Sequence, residues 1–287
     1  MTVGSLTAAE PRAKSAGATR WAEAVPLLSI TGQLALVILL IYQFQIESRT
    51  FFQVALAAGI GFVVHALSPL RYRLPLFVLV SLVAIGLAFG IGGGGRLVGV
   101  GLALIGICHL PIPFRWRLAV LAIAVALLVA MLRGVVPSFV PLGVWPVLGS
   151  MFMFRLALYL HSIKHRDAPV DVWRTLAYFF MFPNVCFPLF PAVDYQRFSR
   201  DYYNEDAYVI YQRGVRWVVR GLLQLLAYRY VYYNLATSPA DVVDLGSLIQ
   251  HVLATFPGLF LKLTGAFHLI VGFLLLYGFN LPEVIHR

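Results

Sequence analysis

Polar and ionisable side chains inside apolar runs are the residues of this sequence that could do chemistry. Near the C-terminal end of the chain, Lys262, Thr264 and His268 lie within one long apolar run, and Thr264 and His268 are four residues apart. Ionisable groups within a membrane span usually face a bundle interior or water, so they indicate a functional site. Histidine is also the usual base in acyl transfer to a hydroxyl. Two interpretations of His268 stay open: a residue that lines a site, and a packed core residue.

A second group of polar residues accompanies a broken apolar stretch, FFMFPNVCFPLFPAVDYQRFSRDYY (179–203). Proline removes a backbone donor and blocks helix continuation. Broken backbone at membrane depth is tolerated only where protein or a water-filled cavity covers it. We therefore expect this stretch to line a cavity, with Asn184 and Asp194 as candidate polar residues of a substrate tunnel. The tyrosine-rich segment 194–212 that follows is typical of a loop at the headgroup boundary.

A row of arginines opens the next apolar span. Arg213, Arg216 and Arg220 are three and four residues apart, so they share one helical face, and Gln224 lies on the same side. Such a row suits anionic lipid headgroups, or a phosphate or carboxylate of a substrate. Both interpretations stay open.

Other motifs predict no site. His161 and His165 have a spacing that suits a metal pair. Lys164 and Arg166 beside them oppose a bound cation, so no metal is predicted. The glycine-rich segment 90–96 lacks the strand and the GK[ST] ending of a phosphate-binding loop, and it predicts a flexible turn.

The composition decides the class of protein. Hydrophobic residues make up 60% of the chain and charged residues 12%, with a mean hydropathy of +0.83. Soluble domains typically contain about 25% charged residues, so the sequence predicts an integral membrane protein whose main partner is the lipid bilayer. The net charge of +10 comes mostly from arginines at the ends of apolar runs. They anchor and orient helices, and no nucleic-acid partner is predicted.

The elements that must position these residues are predicted as an all-α, polytopic transmembrane helix bundle. We expect about 8–10 membrane segments, some of them broken or re-entrant. Residues 1–24 are predicted as a disordered cytoplasmic tail, 25–133 as N-terminal transmembrane helices, and 134–287 as a membrane core. The distribution of basic residues over the loops predicts a cytoplasmic N terminus. The predicted N-terminal spans are Val25–Phe44, Thr50–Ser68, Leu74–Gly90, Arg96–Leu110 and Trp116–Leu132.

The predicted core is less regular. Glycines and prolines at 134–148 predict a bent or re-entrant entry, followed by a span that contains Arg155 and ends near Leu160. A further span is predicted at Val215–Leu235. The last apolar run, Leu248–Gly278, is predicted to be interrupted at 257–258, where a proline precedes a glycine.

Three stretches of the core carry a family resemblance: MFRLALYLHSIKHRD, LAYFFMFPNVCFPLFPAVDYQRFSRDYYNEDAYVIYQRGVRWVVRGL and KLTGAFHLIVGFLLLYGFNLPEVIHR. Over about Phe152 to Arg287 the chain resembles a bacterial branch of the membrane-bound O-acyltransferase (MBOAT) family. The motifs FPNVCFPLFPAVDY and GAFHLIVG with YGFNLPE are the specific part of this resemblance. The first five spans match only as generic hydrophobic helices.

The resemblance implies transfer of an acyl group from a thioester donor to a hydroxyl of an envelope glycan, lipid or protein. It implies a bacterial inner (cytoplasmic) membrane location and an acyl-carrier or envelope partner protein, with no bound cofactor. In the family the catalytic histidine follows the equivalent of NLPEVIHR, which places it beyond Arg287. This chain is therefore expected to be a truncated form that is inactive alone, and His268 is expected to line the site.

Two alternatives belong to other classes. A non-catalytic membrane transporter or polymer-export subunit would also use broken helices near the midplane, and its arginine row would pass an anion. Such a protein often has two halves of related hydropathy, and the sequence contains no internal repeat. The other alternative is a non-functional fragment that inserts into the membrane.

Overall fold

A computed structural model describes residues 16–149, 152, 154–165, 171–182, 194–236 and 238–281, with side chains from residue 25 onward. Most of these residues are helical, and strand pairing in them is one isolated bridge, between Tyr202 and Phe279. The predicted all-α polytopic bundle is thereby confirmed. The proline-broken part of the stretch at 183–193, with Asn184, lies outside the described residues.

The described residues form ten α-helices and two 3-10 turns. The first five are α1 (Ala16–Gln43), α2 (Arg49–Leu67), α3 (Leu70–Cys108), α4 (Phe114–Leu132) and α5 (Trp145–Leu148), the last preceded by a 3-10 turn at Leu142–Val144. The remaining five are α6 (Phe154–His165), α7 (Val172–Phe180), α8 (Tyr195–Arg200), α9 (Ala207–Asn234) and α10 (Leu245–Leu276). A second 3-10 turn, Pro239–Asp241, connects α9 to α10.

Five of the described helices are long and apolar enough to cross a membrane: α1 from Val25, α2, α3, α4 and α10. An integral membrane protein is therefore supported by the fold as well as by the composition. Helix α9 is long enough, at 28 residues, but four arginines interrupt its apolar surface.

Several predictions of helix positions are corrected. The segment 194–212, predicted as a loop, contains α8 and the start of α9, which begins at Ala207 instead of Val215. Helix α1 begins at Ala16, so residues 16–24 are helical instead of belonging to the predicted disordered tail. Helix α10 is continuous through Pro257, and the predicted interruption there is wrong. Proline removes one hydrogen bond from a helix. In α10 a capping box at Asp244 and packing along α9 hold the helix together on both sides of that position.

Helix α3 contains the predicted turn in a shorter form. The backbone is non-helical at Gly90, where φ is 70° and ψ is 170°, and it is helical again directly afterwards. The chain folds back sharply here, because Gly94 lies against the carbonyl oxygen of Ile85 and the Cα of Gly86. In a straight helix those residues would be about 13 Å apart at 1.5 Å per residue. The two predicted spans are thus two arms of one helical hairpin.

Helix α7 and the residues directly after it pack against both arms of this hairpin. A Cβ added to Gly101, in the second arm, would come within 2.7 Å of the Phe180 ring. In the first arm the Ser81 hydroxyl accepts a hydrogen bond of 3.2 Å from the backbone N–H of Phe182. The apolar core is built around this contact, and Phe77, Phe180 and Tyr277 are at most 1% exposed.

Candidate functional site

The second and third of the stretches that carry the family resemblance meet in one polar cluster. Backbone hydrogen bonds join Tyr203 N–H to Gly278 O at 2.8 Å and Asn280 N–H to Asp201 O at 3.0 Å. The segment 278–280 that follows α10 therefore runs antiparallel to the segment 201–203 that follows α8. We call the residues 201–205 and 278–280, with Arg213, the joint cluster. It lies at the end of the bundle where α2 meets α3.

Asn280 is the centre of the joint cluster. Its amide nitrogen donates to Asn204 Oδ1 and to Glu205 Oε1, both at 2.9 Å. Its amide oxygen accepts a 2.6 Å hydrogen bond from Arg213, which also forms a 3.0 Å ion pair with Glu205. Hydrogen bonds from Arg213 and Asn280 lower the pKa of Glu205. The site therefore holds a carboxylate and a guanidinium that pair with each other, and the Asn280 amide binds both.

A tyrosine pair continues the cluster toward α2 and α3. The hydroxyl oxygens of Tyr203 and Tyr211 lie 2.6 Å apart, and Arg73 donates to Tyr211 at 3.3 Å while its guanidinium lies 4.9 Å from the Tyr203 ring centre. Burial raises the pKa of Tyr202 and Tyr203, so both phenols remain donors at neutral pH. Phenol and guanidinium donors of this kind suit an anionic or carbonyl oxygen.

His65 lies against the tyrosine pair and was not predicted. Its ring is fully buried, 4.9 Å from the Tyr277 ring and 6.2 Å from the Tyr203 ring between centres. Both ring nitrogens lack a hydrogen-bond partner within the described chain. Neither its spacing nor its neighbours in sequence distinguishes it, because it occupies an ordinary position on the buried face of α2.

His268 belongs to a different group, deeper along α9 and α10. Its Nδ1 lies 2.6 Å from Gln224 Oε1, and its ring packs edge-on against Trp217 at 4.7 Å between centres. Since an amide oxygen only accepts, Nδ1 carries the proton, and in the neutral ring Nε2 is the basic nitrogen. The guanidinium of Arg220 lies over the Trp217 ring, 5.3 Å from the ring centre. We call His268, Gln224, Trp217 and Arg220 the histidine group.

The other predicted tunnel residues do not join His268. Lys262 pairs with Glu47 at 3.3 Å, at the opposite end of α9 from the joint cluster. The Thr264 hydroxyl donates to Phe260 O of its own helix at 2.7 Å. Asp194 accepts a long hydrogen bond of 3.5 Å from Ser162. Among the described residues Lys262 and His268 have different partners, because six residues along a helix turn them to different faces, and their place along a substrate tunnel stays a prediction.

The three arginines of the predicted row also differ in their contacts and exposure. Arg213 is half-buried and bound by Asn280 and Glu205, whereas Arg216 and Arg220 are exposed on the surface of α9. The three side chains share a helical face as predicted, but they do not converge on one ligand position.

A hydrogen-bond chain, buried at Tyr159 and Thr175, connects the end of the hairpin to α6 and α7, and it too was not predicted. His109 Nε2 lies 2.9 Å from the Tyr159 hydroxyl, which lies 3.0 Å from Thr175 Oγ1. Arg155, 1% exposed, donates to Tyr178 O at 2.7 Å. An arginine and a histidine in apolar runs were the available signal in the sequence.

The described residues contain no group of three histidine, cysteine, aspartate or glutamate side chains that could bind a metal ion. His161 and His165 are adjacent and exposed, with ring centres 4.2 Å apart, and His165 Nδ1 is bonded to His161 O.

The chain matches no protein-family model, no curated protein and no solved structure.

Proposed function

We propose that this protein is an O-acyltransferase of the MBOAT type, which transfers an acyl group from a thioester to a hydroxyl of an envelope glycan, lipid or protein. In this reaction the hydroxyl oxygen attacks the thioester carbonyl carbon, and the carbon–sulfur bond breaks. The thiol leaves with the proton that the hydroxyl loses. The proposed place is the bacterial cytoplasmic membrane.

The observation that carries the proposal is the histidine group. His268 lies within a helix long and apolar enough to cross a membrane, and the contact of its Nδ1 with Gln224 holds the ring in one orientation. Ionisable groups at this depth indicate function by default, since their insertion costs free energy. We propose His268 as a positioning residue that orients the hydroxyl, rather than as the base itself.

The joint cluster supports the same proposal. The two stretches with the specific family motifs are distant in sequence but bonded to each other through the backbone and through Asn280. Their resemblance therefore concerns one structural unit. The transporter alternative draws less support, because the exposed Arg216 and Arg220 do not line a path between α9 and α10, whose backbones touch at Gly221 and Gly265.

The experiment compares cells with and without the gene. Envelope glycans, lipids and proteins are treated with hydroxylamine, which releases O-acyl esters, and the released acyl groups are quantified by mass spectrometry. We expect one class of ester to disappear on deletion and to return when the full gene is restored. An unchanged inventory of esters in all three fractions would contradict the proposal. An ester that returns equally well with a His268→Ala gene would contradict the role of His268.

A further inference from the structure

A second polar site lies at the other end of α9, where the loop between α1 and α2 meets α9 and α10. A cavity of about 350 Å³ is lined there by polar groups of Gln45, Glu47, Arg229 and Lys262, and by aromatic side chains of α9. A neighbouring cavity of about 190 Å³ shares Glu47 and Lys262 with the first. It continues into an apolar slot lined by Phe51, Val54, Ala88, Leu225, Leu263, Ala266 and Ile270.

The larger cavity, which we call the polar mouth, is lined by an excess of positive charge. Lys262 pairs with Glu47 at 3.3 Å and lies 5.3 Å from the ring centre of Tyr228. Arg229 donates to Gln45 O at 3.1 Å and lies 4.9 Å from the Tyr233 ring centre. Two cations face one carboxylate among the lining residues, so the mouth has a net charge of +1. One phosphodiester would neutralise it.

The loop at the mouth has an unusual backbone. Gln45 and Glu47 both have positive φ, 45° and 58°, in the left-handed region that side chains other than glycine rarely occupy. Such conformations persist where surrounding contacts determine them, and they cluster at ligand clamps. Here the contacts come from the two cations, since Arg229 holds the carbonyl of Gln45 and Lys262 holds the carboxylate of Glu47.

We propose that this cleft binds one anionic phospholipid, with its phosphodiester between Arg229 and Lys262 and an acyl chain in the apolar slot. A polar mouth that opens into an apolar slot matches an amphiphile, whereas a soluble anion would use the mouth alone. Tyr228, Tyr232 and Tyr233 surround the mouth, and tyrosine favours the membrane–water boundary where headgroups lie.

This site is separate from the joint cluster and does not depend on acyl transfer. Along α9, Tyr211 of the tyrosine pair and Arg229 of the mouth are 18 residues apart. That separation corresponds to about 27 Å, close to the thickness of the hydrocarbon layer. The lipid would thus be bound at one membrane face, with the joint cluster at the other.

The test uses the full chain purified in a neutral detergent and titrated with phosphatidylglycerol in mixed micelles, with binding read by native mass spectrometry. We expect Arg229→Gln and Lys262→Gln each to weaken binding about fivefold, the contribution of one basic residue near an anionic lipid. Arg216→Gln is the matched control, an exposed arginine on the same helix, and it should leave the affinity unchanged. Equal losses in all three variants would reduce the effect to general surface charge and overturn the proposal.

A second comparison distinguishes the lipid from a free anion. Glycerol 3-phosphate and inorganic phosphate present the same charge without a tail, and we expect neither to compete with the lipid at equal concentration. Ala266→Phe fills the slot and should weaken lipid binding while the cations remain. Competition by either soluble phosphate, or unchanged lipid binding by Ala266→Phe, would overturn the assignment. Lys262→Arg keeps the charge and should retain the lipid, which separates loss of the site from loss of folding.

Discussion

Gly221 of α9 and Gly265 of α10 lie backbone to backbone. A Cβ added at Gly221 would be 2.6 Å from the carbonyl oxygen of Gly265 and 2.6 Å from the backbone nitrogen of Leu269. Seven residues away on each helix, Gly214 and Gly272 repeat the contact, with 2.7 Å between the added Cβ of Gly272 and Gly214 O. Small residues let membrane helices approach this closely, so the pair forms a rigid unit through packing.

Gly221→Ala is therefore expected to destabilise the protein. Neighbouring backbone cannot move aside as a side chain can, and overpacking of this kind typically costs about 1–3 kcal/mol. The measurement is the midpoint of thermal unfolding of the purified protein in detergent. Gly99→Ala is the control, because an added Cβ there meets no atom within 4 Å, and it should leave the midpoint unchanged or raise it slightly. Equal midpoints for Gly221→Ala and wild type would contradict the close packing.

Gly90→Ala is expected to weaken the α3 hairpin. The position has room for a methyl group, but its φ of 70° with ψ of 170° is a backbone conformation essentially restricted to glycine, and another residue there costs roughly 1–3 kcal/mol. Gly92→Ala, two residues away in helical backbone and also without a neighbour within 4 Å, should be neutral or stabilising. Thermal unfolding of both variants separates the two causes. If Gly92→Ala lost as much stability as Gly90→Ala, the loss could not be assigned to the backbone conformation at Gly90.

His268→Ala is expected to lower formation of the O-acyl product about five- to tenfold without preventing membrane insertion. The reason is the loss of one orienting hydrogen bond, worth about 1–1.5 kcal/mol. Gln224→Leu should act in the same direction, because it removes the acceptor that fixes the tautomer of His268. A positioning role predicts a reduced kcat with an unchanged KM for the thioester.

Thr264→Val is the matched control for this experiment. Thr264 lies one helical turn from His268, but its hydroxyl is bonded to Phe260 O of its own helix. Product formation should equal that of wild type. A loss as large as that of His268→Ala would show that the whole segment is merely sensitive to substitution.

The stability of the joint cluster is expected to depend on pH through Glu205. Its pKa is lowered from 4.5 by hydrogen bonds from Arg213 and Asn280. A carboxyl group whose pKa is lower in the folded state stabilises that state above its unfolded pKa. This stabilisation is lost as the pH falls through the folded pKa. Glu205→Gln should therefore unfold at a lower temperature than wild type at pH 7.

As the pH falls through the lowered pKa of Glu205, the difference between Glu205→Gln and wild type should narrow, since the protonated carboxyl group is neutral like the amide. Arg213→Gln should show the same pH dependence, because it removes the main partner of the carboxylate. Unfolding midpoints at several pH values supply the test. A difference between Glu205→Gln and wild type that stays constant as the pH is lowered would contradict a contribution of the carboxylate charge.

The sequence predicted the helices far better than the contacts between them. Hydropathy located α2 and α4 to within two residues and located both arms of α3, because a membrane requires an uninterrupted apolar segment of a certain length. It also indicated that His268 is buried in the bundle, with 6% exposure. These properties depend on local composition, which one chain displays directly.

The contacts of the polar residues could not be predicted, because partners distant in sequence decide them. Lys262 was grouped with His268 on their proximity along the chain, but Glu47 pairs with Lys262 and Gln224 with His268. The pairing of Asn280 with Glu205 and Arg213, and the burial of His65 against Tyr277, also join segments far apart.

The sequence by itself therefore determined that this is a helical membrane protein and where its long apolar helices lie. The tertiary structure decided which polar groups meet: the joint cluster at one end, the histidine group between α9 and α10, and the lipid-sized cleft at the other end. The physical reason is that burial of apolar surface depends on each segment's own composition. A hydrogen bond or ion pair requires two partners within about 3 Å, and only the packing of the helices brings those partners together.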